Sequence, residues 1–401
     1  MRRAARIHAV KKLRRRLTAP VLICYNVCPS DEKEIDMLTK FAVTNFRGFR
    51  KRIELDLTRH RDYEFNSFAI CNGIVKNGII YGPNGAGKSN FSLAIFDIVN
   101  HLSQKWKDFG YYANFTNAAA ANDDVIFEYE FKFGDTVVDY SYAKTSEGVL
   151  HSELLAVNGV QKFKRTKGKF EIDADEFQMD EAVGRKLAAN ANAVSVVNYL
   201  LVSYPFAEGH YLLKLRDFVD GMLWFRNLDE RQFIGLDTGV KLIYSEIIRK
   251  RLVDDFAKFL KTVSNQKFEF VTPKEGDKFL FCRLGKGTMQ FDLIASTGTK
   301  SLALLYFWLK QLSGATFVFI DEFDAFYHFQ LSFAVCKELF KLKCQVFLSS
   351  HNTFLMANDL LRPDCNFVIK DNEVKPICDR TDKDLRLGHN IEKLYRGGAF
   401  E

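Results

Sequence analysis

Residues Gly78–Asn90 read GIIYGPNGAGKSN: a short apolar run, a turn through three glycines, then lysine and serine. Gly82-Pro83-Asn84-Gly85-Ala86-Gly87-Lys88-Ser89 fits the pattern G-x-x-x-x-G-K-[ST], with Asn90 directly behind it. Glycines let the backbone curl so that successive N–H groups face phosphates. Lysine at this position reaches the outer phosphates, and the Ser89 hydroxyl is a ligand for Mg²⁺. The context required of such a loop is a buried strand before it and a helix after it. The run 78–82 supplies the first. Phe91, Ile95, Ile98 and Leu102, at helical spacing, predict an amphipathic helix over 88–104. ATP with Mg²⁺ is the expected ligand.

Three further segments carry matching chemistry. In FVFIDEFDAFYH (317–328) an apolar run leads into two adjacent acids. Carboxylates at the C-terminal end of a buried strand lie where doubly wound sheets bind ligands, and such a pair is costly unless a metal or water engages it. Asp321 is therefore expected to hold Mg²⁺ through water, and Glu322 to orient or deprotonate an attacking water. VFLSSHN (346–352) follows the same plan. Read alone, His351 is a core or surface histidine; as the third member of an ordered set it becomes a phosphate sensor. In ASTGTKSLALLYFWLK (295–310) small hydroxyl and glycine residues precede a helix reaching about residue 311. By spacing alone Ser296 and its neighbours are a helix cap.

The ordered set GPNGAGKS, STGT, IDEFDA and SSHN resembles the ATP-binding-cassette heads of the SMC, RecF and OLD type, and NFRGFRKRIELDL (45–57) is similar to that group's opening hairpin. More narrowly, RDYEFN (61–66) and the ending HNIEKLYRGGAFE resemble the AAA-type ATPases of bacterial anti-phage and abortive-infection systems, whose relatives include the PARIS ATPase, PtuA of Septu and ATPases encoded beside RloB-like proteins. The resemblance spans roughly 37–401. It implies an α/β, ABC-type ATPase head with an antiparallel β subdomain, a mostly parallel P-loop sheet and a helical insertion. It also implies a head-to-tail homodimer, or a higher oligomer, in which Ser296 and Gly298 meet the γ-phosphate of the opposite subunit. Asp324 would be the aspartate that communicates between the two nucleotide sites. The signature departs from the L-S-G-G-Q of transporters. The glutamine that such heads carry in a separate loop is not identifiable from sequence, and Arg47 is a weak candidate for an adenine contact.

The expected division is a basic extension over 1–36 outside the fold; an N-terminal ATPase lobe over 37–175 with a hairpin (38–46, 51–57) and alternating strands (124–165); a helical insertion over 176–265; and a C-terminal lobe over 266–401, opening with strands over 267–294 and carrying two continuous apolar strands, 316–320 and 345–349. The sharper reading of 1–36 is a basic arm touching nucleic acid or a partner.

Composition narrows the function. The formal charge of +7 comes from residues 1–30, which hold eight of the 57 Lys and Arg and no acid; the remaining 49 face 50 Asp and Glu. Binding of nucleic acid is left open but composition does not point to it, and the cluster KFKRTKGK (162–169) reads as a solvated hairpin. Eight cysteines without a C-x-x-C pair read as reduced thiols of a cytoplasmic protein. No stretch approaches the length of apolar chain that spans a membrane.

The leading expectation is an ATPase sensor and scaffold controlling a separately encoded toxic effector, a nuclease for preference, with a phage-derived trigger. OLD nucleases carry a TOPRIM domain after the ATPase, and the 50 residues after His351 are too few for one. The alternative is a RecF-like DNA-repair or DNA-clamping ATPase. A transporter motor is set aside because Ser89 and Ser296 lie 207 residues apart.

Overall fold

The computed structural model describes residues 35–103, 115–189, 194–226, 233–235 (backbone only), 243–274 and 276–400. The basic extension expected at the start of the chain lies outside the described residues up to position 34.

Two seven-stranded sheets dominate. The first is antiparallel throughout. Its order is Lys169–Ile172, Val160–Thr166, Leu150–Val157, Thr136–Lys144, Val125–Phe133, Met37–Thr44, Ile53–Asp56. The strand VIFEYEFKF alternates in sequence and buries every second residue. The second sheet runs Phe233–Gly235, Leu223–Arg226, Phe317–Asp321, Gln345–Ser350, Asn77–Tyr81, Asn366–Lys370, Glu373–Pro376. Its five central strands are parallel and its two edges antiparallel. Asn77–Tyr81, Phe317–Asp321 and Gln345–Ser350 are buried at every residue, as strands covered on both faces must be. The fold is thus mixed α/β, with an antiparallel sheet and a mostly parallel one.

The helix Lys88–Ile95 is the layer between the sheets. Phe91 meets Phe41 of the antiparallel sheet with ring centroids 5.6 Å apart, and the Tyr129 hydroxyl donates to the Ala94 and Ile95 carbonyls at 3.2 Å each. On the other side the Trp224 indole N–H donates to Ser92 Oγ at 3.0 Å. The next residue, Phe225, faces the opposite way and stacks on Trp308 of the helix Thr297–Leu309. That helix, with Val253–Ser264 and Phe329–Leu339, forms the outer layer.

Three sequence expectations need correction. The helix over 88–104 is two helices, Lys88–Ile95 and Asp97–Leu102, broken at Phe96. Tyr129 takes the terminal carbonyls of the first, and the Phe96 ring turns inward against Phe317. The span 176–265 is not wholly helical: Leu223–Arg226 enters the parallel sheet beside Phe317–Asp321. Gly221 ends the preceding helix where a Cβ would lie 2.6 Å from the Gly314 carbonyl, so the chain turns there and LWFR is too short to show a period. Among the described residues of 267–294 the strands are one hairpin, Phe281–Leu284 with Gly287–Gln290, joined by a single bridge from Phe270 to Cys282 and followed by the short helix Phe291–Ile294.

Candidate nucleotide site

Five parallel strands deliver their C-terminal ends to one edge, where a doubly wound sheet receives ligands. Asn77–Tyr81 leads into the glycine loop. Gly85 and Gly87 have φ of +79° and +96°, a conformation L side chains rarely adopt. A Cβ on Gly87 would also sit 2.6 Å from the Phe49 ring, and one on Gly82 2.7 Å from Ile369. The hairpin and the adjacent strand press on the loop from two sides.

Lys88 is buried. Its ammonium donates to the Gly82 and Pro83 carbonyls at 2.8 and 3.2 Å and lies 3.3 Å from His351 Nδ1. Burial lowers its pKa against the raising fields of Asp321 and Glu322. Burial, then the Lys88 charge, lowers that of His351, so the imidazole accepts from the lysine. The loop lysine and the histidine of SSHN therefore meet, 263 residues apart in sequence.

Asp321 is fully buried at the end of its strand. Ser349 Oγ donates to its Oδ1 at 2.6 Å and accepts the Glu322 N–H at 2.8 Å. Glu322 has φ of +48°, in the left-handed region. That turn costs an L residue about 1–2 kcal/mol, and it points the half-buried carboxylate away from the line of the strand. Asp324 accepts from Ser350 Oγ at 2.8 Å, and burial raises its pKa.

Arg226 was not singled out in the sequence. It ends Leu223–Arg226 in register with Asp321. Its Nη2 is 3.0 Å from Asp321 Oδ2 and 3.0 Å from Ser89 Oγ, and 3.9 Å from Glu322 Oε1. Ser89 and Asp321 thus converge on one cationic group. Both offer hard oxygen donors suited to Mg²⁺, so the residues fit the metal. Among the described residues no cluster of three or more His, Cys, Asp or Glu could hold a metal. A cation here would take its remaining ligands from phosphate and water, the usual habit of Mg²⁺. The serines of FLSS and the arginine ending LWFR were the available signals, each a polar residue closing an apolar run.

Ser296 and Gly298 belong to the cap and first turn of the helix Thr297–Leu309. Ser296 caps Thr297–Leu309, its Oγ accepting the Thr299 N–H at 3.2 Å, and Thr299 donates to Gln266. Gly298 packs where a Cβ would meet the Phe326 carbonyl at 2.9 Å. Neither hydrogen-bonds to the glycine loop, and Ser296 is exposed. Arg47, in left-handed backbone, donates to Asn90 Oδ1 at 3.2 Å. The basic cluster 162–169 is partly internal: Arg165 is buried against Glu153, and Lys162 pairs with Asp173 and Glu176.

Comparison with known proteins gives a family. Residues 79–357 match the family described as AAA domain, putative AbiEii toxin, Type IV TA system. No curated protein matches the chain. Among solved structures it is similar to the SMC head domain from Thermotoga maritima (15% identity, 84% of this chain and 97% of that one, TM-score 0.41). It is also similar to the Smc head domain with an extended coiled coil bound to the C-terminal domain of ScpA, from Pyrococcus furiosus (11%, 85% and 96%, TM-score 0.42). A third is the recombination mediator RecF–ATPrS of the RecFOR pathway (15%, 86% and 98%, TM-score 0.39). No helix among the described residues is long and apolar enough to cross a membrane.

Proposed function

The chain belongs to the AAA-domain family described as putative AbiEii toxin, Type IV TA system, and from that premise we propose that it is an ATP-hydrolysing switch whose two states are read by a separately encoded effector. The observation that carries the reading is the meeting of Lys88, Ser89, Asp321, Glu322 and His351 at one sheet edge from three separate strand ends. The loop N–H groups and Lys88 bind the phosphates. Ser89 and Asp321 hold Mg²⁺, which when bound neutralises phosphate charge. Glu322 orients the attacking water and takes its proton, and His351, neutral and tied to Lys88, contacts the outermost phosphate. Replacement of Glu322 by Gln is expected to slow phosphate release about 10²–10⁴-fold while nucleotide stays bound; Lys88→Ala is expected to lose binding itself. Unchanged turnover in Glu322→Gln would overturn this assignment.

Ser296 and Gly298 serve the nucleotide of a second copy. Support comes from the exposure of Ser296, whose hydroxyl bonds only within its own helix cap, and from the exposed apolar side chains of Leu293, Met289, Leu284 and Phe281 in the segment leading to it. Asp324, two residues beyond Glu322 and two before Phe326, whose carbonyl covers Gly298, would carry the state of one site to the other.

The biological role we assign is anti-phage defence, in which nucleotide state withholds or releases a toxic partner. The family description, naming a toxin of a toxin–antitoxin system, supports this class. The tagged chain co-expressed with its neighbouring genes is expected to retain a stoichiometric partner whose association changes with ATP. Retention of duplex DNA with ATP, and no protein partner, would replace the effector by a DNA clamp.

A further inference from the structure

The guanidinium of Arg226 sits on the two oxygens assigned above to the metal. Nη2 lies 3.0 Å from Ser89 Oγ and 3.0 Å from Asp321 Oδ2, and Nε adds a second bond to the same carboxylate oxygen at 3.1 Å. Lys88, the other cation near the site, makes no bond to Asp321; it donates to the Gly82 and Pro83 carbonyls and faces His351. Asp321 is fully buried, and its other oxygen receives the Ser349 hydroxyl. A buried carboxylate stripped of its counter-ion is strongly destabilising, so this position calls for a cation at all times. A guanidinium does not deprotonate in proteins. Two cations cannot share one pair of oxygens at such distances without severe repulsion. The Arg226 side chain is 26% exposed, and its long stem gives it a route outward.

We infer that Arg226 is a built-in stand-in for the divalent cation: it neutralises Asp321 and occupies Ser89 until it is exchanged for a metal ion arriving with the nucleotide. The exchange would make Ser89 and Asp321 unavailable to bare Mg²⁺ and would tie nucleotide loading to a movement at the end of the strand Leu223–Arg226. This rests on the reading that Ser89 and Asp321 hold the metal.

The test is an EPR-detected titration of Mn²⁺ into the nucleotide-free full chain, comparing wild type, Arg226→Gln, Asp321→Asn and the double variant. Arg226→Gln is expected to bind Mn²⁺ at least tenfold tighter than wild type, and the double variant to lose that gain. In parallel, Arg226→Gln is expected to melt at lower temperature in EDTA and to recover with Mg²⁺ alone, whereas wild type gains little, since a ligand bound only by the native state stabilises it. If Arg226→Gln and wild type bind Mn²⁺ equally, both through Asp321, the stand-in role is overturned and the metal assignment stands. Mn²⁺ binding in no background, or insensitive to Asp321→Asn, overturns both. An Arg226→Gln protein that melts low and does not respond to Mg²⁺ makes Arg226 a structural partner only.

Discussion

At Gly87 one residue carries two constraints. Its φ of +96° excludes ordinary L side chains, and the Phe49 ring fills the space where a Cβ would go. Gly87→Ala is predicted to cost at least about 1–2 kcal/mol from the backbone alone and to weaken nucleotide binding, because the N–H groups of Lys88 and Ser89 would no longer be aimed. Urea midpoints and a fluorescent-nucleotide titration measure the two effects separately. A variant with unchanged stability and affinity would contradict the geometry. Glu322 is the converse case. It is a non-glycine residue held at positive φ by the bond from its N–H to Ser349, and the strain is what separates two adjacent acids into a buried one and a half-buried one.

At the scale of elements, the two sheets are joined by a side chain that no motif predicts. Gln345 opens its strand fully buried; its Oε1 accepts the Leu38 N–H at 2.8 Å and its Nε2 donates to the Leu38 and Val75 carbonyls at 3.0 and 3.1 Å. Gln345→Leu would leave the Leu38 N–H and carbonyl of the antiparallel sheet and the Val75 carbonyl of the short pair Ile70–Cys71/Ile74–Val75 without this partner, at about 1–3 kcal/mol for each group, and is expected to lower the melting temperature by more than an average core substitution. In the last turn of the helix Asp97–Leu102, His101 stacks on Tyr142 with centroids 3.9 Å apart and bonds the Tyr140 hydroxyl. Burial, then the charges of Lys144 and Arg165, holds its pKa well below 6.5. The imidazole is neutral in the fold, so below pH 6.5 the unfolded chain binds the extra proton and stability falls as pH drops. His210 and His351 are also lowered by burial and add to the slope. His101→Gln is predicted to flatten the loss between pH 6.5 and 5.5 by up to about 1.4 kcal/mol per pH unit, measured as urea midpoints across that range. An unaltered slope would mean that His101 protonates freely in the fold.

These elements also explain what the sequence could reveal. The glycine loop, the acid pair and SSHN are contiguous, and each follows a run of apolar residues long enough to mark a buried strand, so residue type and position were both legible. Arg226 and Gln345 were not. Their partners lie 95 and 307 residues away, and each belongs to a local pattern that reads as something ordinary. LWFR looks like the tail of an amphipathic helix, and Gln345 looks like a polar residue bordering a strand. The break at Phe96 was hidden for the same reason, since Tyr129, which competes for the helix carbonyls, comes from another sheet.

Across the whole molecule, the helix Lys88–Ile95 touches both sheets, and the loop at its head touches the ends of three strands. A change at the phosphates therefore reaches the antiparallel sheet through Phe49, Phe91 and Tyr129, and the outer helices through the parallel sheet. Such a layout can turn nucleotide state into a rearrangement between lobes, and the proposed function gives Ser296 and Gly298 the nucleotide of a second copy. The most direct test is the molar mass of the Glu322→Gln chain by light scattering on a sizing column, with Mg²⁺ and either ATP or no nucleotide. The account predicts a mass that doubles with ATP and does not double when Gly298→Asp is added. A chain that binds ATP and keeps one mass in both conditions would contradict it.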